Sequence, residues 1–156
     1  MQSKPLVVRR SEGEVLDVLG VAVRFLCQSE DTRGAWSLME NLIPAGSGPP
    51  PHQHPWDEAY FLIEGEVEFR IGERIERVRA GDFVYAPAGT AHAFHGVSDA
   101  PARMLIFDAP AHAGHFFKDV DREVRELPRD LSKLPQIGAR HGLAFLTPAH
   151  RAASRP

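Results

Sequence analysis

The stretch Pro50-Pro51-His52-Gln53-His54-Pro55-Trp56-Asp57-Glu58 decides how this chain is read. Residues two apart on an extended strand point to one face, so His52 and His54 can reach a common point. The prolines favour that geometry: Pro55 biases His54 away from helix, and Pro49 to Pro51 favour an extended approach. Glu58 has the same parity, but on a straight strand it would lie about 13 Å beyond His54. Metal ligands have to converge, so the chain must bend across Pro55 to Asp57 for Glu58 to join them. Glu58 then opens a strand over 59–63.

A fourth ligand has to come from elsewhere, and His92 is the best placed. It follows the turn signal Pro87-Ala88-Gly89 and opens a strand, as Glu58 does. Three imidazoles and one carboxylate suit Fe, Mn, Ni, Co, Cu or Zn, and do not suit a calcium site built of oxygens. At an octahedral ion four protein ligands leave room for water or substrate.

Outward from this stretch, Gly and Pro recur roughly every eight to twelve residues, the rhythm of an all-β sandwich or barrel. Strands are expected over 21–27, 35–43, 59–63, 67–71, 74–79, 83–86, 91–94 and 103–107. Within 66–71, Val67, Phe69 and Ile71 take one face while Glu66, Glu68 and Arg70 take the other. Ile75 and Val78 have opposite parity, which predicts a bulge in their strand. Gly72-Glu73 is read as a hairpin turn and Gly65 as a bend. Pro87 to Gly89 is read as a type I turn opened by Ala86. After Pro110 the spacing of Phe116, Phe117, Val120 and Val124 is helical, and a second helix is expected over 131–140 with Gly142 as its stop. Both are expected to pack outside the barrel or against a partner, and 149–156 to fray. The division is thus an N-terminal arm with strands over 1–19, a barrel over 20–110, and a helical extension and tail over 111–156.

Composition narrows the function. The 156 residues carry a net charge of −3, with 18 Lys and Arg scattered along the chain, so the basic footprint of a nucleic-acid binder is missing. No stretch approaches the roughly 18 apolar residues of a membrane span. Residues 1–14 have no apolar run and do not read as a secretory leader. Cys27 is the single cysteine, which excludes an intrachain disulfide and a thiolate zinc cage and makes a reducing cytoplasm the expected location.

These residues also form a specific pattern. Gly46, five residues, His52, one, His54, three, Glu58, six and Gly65 fill every fixed position of one motif. Gly81, five residues, Pro87, one, Gly89, two and His92 fill all but the last position of a second, where Gly96 stands in place of Asn. The chain resembles the cupin superfamily in both motifs, as a single-domain (cupin_2 type) member. The resemblance implies a double-stranded β-helix (jelly-roll) barrel, one divalent transition metal held by His52, His54, Glu58 and His92, and a homodimer. Within the superfamily, Pro-Pro-His-x-His followed by Asp57-Glu58 is similar to the quercetin-dioxygenase-like (quercetinase-like) subgroup. That likeness implies an oxidoreductase, a dioxygenase acting on a small enolic or phenolic compound. The motif marks no separate catalytic acid or base; the Glu58 carboxylate is the only obvious base nearby and is read as the catalytic one.

Around the ligands, Tyr60 and Leu62 share the parity of Glu58, and Phe94 that of His92, so these three are expected to line a substrate pocket. The preceding strand contributes Met39 and Asn41, or alternatively Leu38 and Glu40. His95 lies off the ligand face, His112 and His115 are read as solvated, Trp36 and Phe25 as core, and Cys27 as buried. Two other functions fit the same residues: a metal-dependent isomerase or lyase, and a small-molecule-binding or sensing barrel without turnover.

Overall fold

Alternating apolar and polar residues build two antiparallel sheets that face each other across one core. The computed structural model describes residues 3–146; the expectation for 149–156 lies outside them. In chain order the elements are β1 (Val15–Val18), β2 (Val21–Cys27), the single turn α1 (Ser29–Thr32), β3 (Ser37–Ile43), β4 (His52–Gln53) and β5 (Asp57–Glu64). There follow β6 (Glu66–Ile71), β7 (Arg74–Arg79), β8 (Phe83–Ala86), β9 (His92–Gly96) and β10 (Ala102–Ala109). The chain continues with α2 (Ala113–Glu123), a 3₁₀ turn (Arg129–Lys133), α3 (Leu134–Arg140) and β11 (Ala144–Phe145). One sheet has the order β1-β2-β3-β10-β5-β8 and the other β11-β4-β9-β6-β7. This is the all-β jelly-roll barrel with short C-terminal helices, and its sheets take in β1 and β11 from the two flanks.

The strands place their apolar parity inward. Val23, Phe25, Met39, Ile43, Leu62, Val67, Phe69 and Met104 are nearly or fully buried between the sheets, each contributing about 1.5–3 kcal/mol over an exposed position. The outer face of β6 and β7 is wet, with Glu66 paired to Arg77 at 2.7 Å. On β3 the register is now settled: Met39, Asn41 and Ile43 face in, while Leu38, Glu40 and Leu42 do not.

Four local expectations are corrected. No bulge interrupts the β6–β7 pairing; Ile75 simply points outward and is exposed, while Val78 is buried. Trp36 is exposed and not core, because it lies just before β3 and stacks on Phe107 at 5.8 Å on the outer sheet face. Cys27 is half-buried, at the end of β2 beyond a register shift. The turn before β9 opens at Pro87, with Thr90 N–H donating to Pro87 O at 3.0 Å. Gly89, at φ +80° in its third position, gives it type II character.

Gly96 also finds its reason. A Cβ at this position would lie 2.5 Å from the Pro44 carbonyl oxygen, and the 43–47 segment closes on it through Gly46 N–H to Gly96 O at 2.8 Å. Asn would not fit this approach.

Candidate metal centre

The bend expected across 55–57 is present and is held by the turn before β9. Gly89 N–H donates to His54 O at 2.8 Å, and Ala88 N–H to Asp57 Oδ1 at 2.8 Å. Trp56 buries its indole inside the bend and lies flat on the His54 imidazole, ring centroids 4.1 Å apart and 4° from parallel. Glu58 is thereby returned towards the two histidines. His92 arrives from the facing sheet, where its strand pairs β4 at His52. The ligating atoms of His52, His54, Glu58 and His92 lie within 4.8 Å of one another, and all four residues are buried.

Backbone carbonyls set the tautomer of each imidazole. His52 Nδ1 lies 2.8 Å from Pro50 O, His54 Nδ1 3.0 Å from Trp56 O, and His92 Nδ1 2.8 Å from Thr90 O. A carbonyl only accepts, so each Nδ1 carries the proton and each Nε2 is turned to the centre as a potential ligand. Glu58 is held from both sides: Trp56 Nε1–H donates to Oε1 at 3.2 Å, and the Tyr60 hydroxyl donates to Oε2. His54 and His92 place their Nε2 atoms 3.2 Å from Oε2.

The arrangement fits a divalent cation. His54 Nε2 is buried and makes no well-formed hydrogen bond despite that short distance, as a ligand lone pair would. Donors about 2.1 Å from one ion lie at most about 4.2 Å apart, so small inward rotations complete the shell. Electrostatics agree. Burial, together with the His92 imidazole, lowers the His52 pKa to about 4, leaving it neutral. Burial presses Glu58 towards protonation, but the imidazoles of His54 and His92 outweigh it and hold the carboxyl well below its ordinary range. Burial also opposes charge on His92, and Glu58 overcomes it and raises that pKa. An entering cation therefore meets a carboxylate and competes with a proton at His92.

A cavity of about 50 Å³ adjoins the centre. His52, His54 and Glu58 line it with Trp56, Asn41, Phe94 and Ile106, and the C-terminal extension closes it with Phe116, Phe117, Leu143 and Phe145. Of the expected pocket residues Phe94 lines this cavity, and so does Asn41 from the first of the two alternatives offered for the preceding strand, while Met39 does not. Tyr60 and Leu62 point inward as their parity requires, but sit in the packed core and are not among the lining residues. Parity chooses the face of a strand, and depth along the strand then separates mouth from core. His95 is exposed near Glu68 at 3.9 Å.

Sequence reasoning missed the cap. Its strand β11 pairs β4 with Phe145 opposite His52, and Leu146 N–H donates to Pro51 O at 2.8 Å. The start of α2 is anchored by Asp108, fully buried, whose Oδ2 accepts from His112 and Ala113 N–H at 2.8 and 2.9 Å. An acid at the end of an apolar strand, a few residues before a helical pattern, is the signal that could have found it.

The comparisons agree with this geometry. Residues 38–108 match the family model described as Cupin domain. An uncharacterized protein of Streptomyces coelicolor is 31% identical over 91 residues, 58% of this chain and 82% of that one. The dimethylsulfoniopropionate lyase DddQ of Ruegeria pomeroyi is 46% identical over 65 residues, 41% of this chain and only 32% of the lyase. Among solved structures, an RmlC-like cupin from Shewanella frigidimarina superposes with a TM-score of 0.62 at 18% identity, covering 74% of this chain and 99% of that one. The chain belongs to the cupin superfamily. Among the described residues no helix is long and apolar enough to cross a membrane.

Proposed function

We propose that this protein is a metal-dependent enzyme acting on a small organic molecule, with one divalent transition metal held by His52, His54, Glu58 and His92. One observation carries the reading: three imidazoles, each fixed at Nδ1 by a backbone carbonyl, turn Nε2 towards one buried carboxylate beside an apolar cavity. When bound, the ion supplies Lewis acidity to an oxygen-bearing substrate. The residues do the rest. Glu58, ionised at neutral pH, accepts a proton from the substrate and is kept in place by Trp56 and Tyr60. Phe94, Phe116 and Phe145 hold water away from the reacting atoms.

A lyase or isomerase is the reaction class we favour, supported by the identity shared with a curated lyase. The dioxygenase reading, with a small enolic or phenolic substrate, is the second; the three-histidine, one-carboxylate donor set and the apolar wall support it. Reconstitution of metal-free protein with Fe, Mn, Ni, Co, Cu or Zn, followed by turnover screens with and without O₂, separates them. Anaerobic turnover supports elimination or isomerisation, and O₂ uptake with an enol or catechol supports the dioxygenase. No metal bound after reconstitution overturns the enzyme reading and leaves a binding barrel.

Two further expectations belong to the same reading. A cytoplasmic location is supported by the lone thiol. A homodimer is supported by the outer face of the six-stranded sheet, where Phe61 pairs with Phe83, Ala59 with Tyr85 and Phe107, and Trp36 stacks on Phe107. These aromatics are 37–64% exposed, more apolar surface than scattered single residues explain. Sedimentation of Phe83→Glu beside the parent protein tests it, with a monomer expected for the variant and a dimer for the parent.

A further inference from the structure

Asn41 is the polar side chain of the cavity for which the proposed chemistry has no use. It lies on β3 between Val23 of β2 and Met104 of β10. It is 1% exposed and lines the same cavity as His52, His54 and Glu58. Neither its Oδ1 nor its Nδ2 has a hydrogen-bond partner among the described residues. An unmet buried polar group costs about 1–3 kcal/mol. The inward neighbours on the strand, Met39 and Ile43, are apolar, so a leucine would serve the core better. The amide is placed for something that enters the cavity.

Its chemistry limits what that is. A primary amide offers two donors and one acceptor without charge. No Lys or Arg lines the cavity, so a second anionic group would be desolvated there without compensation. We infer that Asn41 is a second polar anchor for a bifunctional substrate. One end carries the oxygen donor, a carboxylate or enolate, that binds at the histidine and glutamate centre. The other carries a neutral hydroxyl, carbonyl or amide that bonds to Asn41. A short apolar body between them lies against Ile106 and Phe94. This rests on the proposed function for its first anchor and adds the second.

Zinc-loaded protein labelled with ¹⁵N-asparagine provides the test, with propanoate, 3-hydroxypropanoate, butanoate, 4-hydroxybutanoate and succinate as probes. The Asn41 side-chain resonances are identified by their loss in Asn41→Leu. One hydroxy acid is expected to bind at least about tenfold more tightly than its parent acid, as one hydrogen bond to a buried polar group allows. It should move the Asn41 resonances, and succinate should gain nothing over butanoate. Asn41→Leu should keep its thermal stability or increase it, still bind the parent acid, and lose the preference for the hydroxyl. Should that variant fail to fold, Asn41→Ala, which removes the amide and adds no charge, carries the comparison. Zinc and acids bound with no hydroxyl preference and unmoved Asn41 resonances would overturn this inference alone. Protein that takes up neither zinc nor any acid would overturn the proposed function and the second anchor with it.

Discussion

Two regions meet at the centre, and they are built on different rules. The barrel supplies every candidate ligand from strands or strand edges, each imidazole locked by a backbone carbonyl within two residues of it in sequence. The C-terminal extension supplies only apolar walls. Phe116, Phe117, Leu143 and Phe145 reach the cavity from segments joined by exposed or half-buried polar contacts such as the Arg140–Glu123 ion pair at 2.6 Å and the His141–Asp119 hydrogen bond at 2.7 Å. The candidate ligands therefore all belong to the barrel, while the extension walls the cavity and packs Phe116, Val120, Leu134 and Ile137 into the same core. Surface ion pairs contribute little to stability, so the end of the extension around β11, joined to β4 through two residues, is expected to open before the barrel strands.

The largest effects should separate the two regions most sharply. His52→Ala and His92→Ala each remove a candidate ligand, and metal analysis should show losses beyond the roughly 10–100-fold that a missing outer partner costs. Phe145→Ala should leave the metal content unchanged. Retained metal in His92→Ala would place the centre elsewhere. Next in size is Tyr60→Phe, which removes the hydroxyl that donates to Glu58. A drop of roughly 10–100-fold in metal affinity is expected, measured by competition with a chelator, with the fold unchanged by circular dichroism.

The same contrast explains what could be read in advance. His52, His54, Glu58 and His92 were readable because a strand's alternation and the Pro and Gly punctuation are local, and the strands over 21–27, 74–79 and 83–86 were found for the same reason. Tyr60 and Trp56 as partners of Glu58 depend on depth and on which strands lie side by side, and no local pattern carries that; Asn41 was one of two alternatives for its strand, and only the strand pairing chose between them. β11 was missed because two residues give no periodicity; it exists only through pairing with β4. Trp36 was misjudged because hydrophobicity alone does not say which sheet face a strand-end residue occupies.

Phe145→Ala sharpens the comparison from the side of the cap. The ring is half-buried, 6.2 Å from His52 and 6.3 Å from Phe116. Truncation should cost about 2–3 kcal/mol, below the range for a fully buried Phe, and widen the cavity. Faster exchange of the backbone amides of residues 141–146, with those of β9 unchanged, is the expected hydrogen-exchange result. Equal acceleration in both would mean that cap and barrel open as one unit.

The smallest effect concerns Asp130, which ties the connection between α2 and α3. Its side chain is nearly buried, and its Oδ2 accepts from Arg125 and Glu126 N–H at 2.9 and 3.0 Å. Arg129 and Lys133 approach it at 3.1 and 3.0 Å. Arg129 first, then the backbone donors and Lys133, hold its carboxyl well below the ordinary aspartate range. The unfolded chain therefore binds this proton more readily than the folded one. The stabilisation is complete above an ordinary aspartate pKa of about 3.9 and fades as pH falls towards the lower folded value. Thermal melts of the parent and Asp130→Asn should differ by a constant amount between pH 5 and 7, to the disadvantage of the variant, and converge as the pH is taken below about 3.9. A gap that stays constant into acid would assign the effect of Asp130 to shape and hydrogen bonding alone, and leave charge with no part in holding the cap.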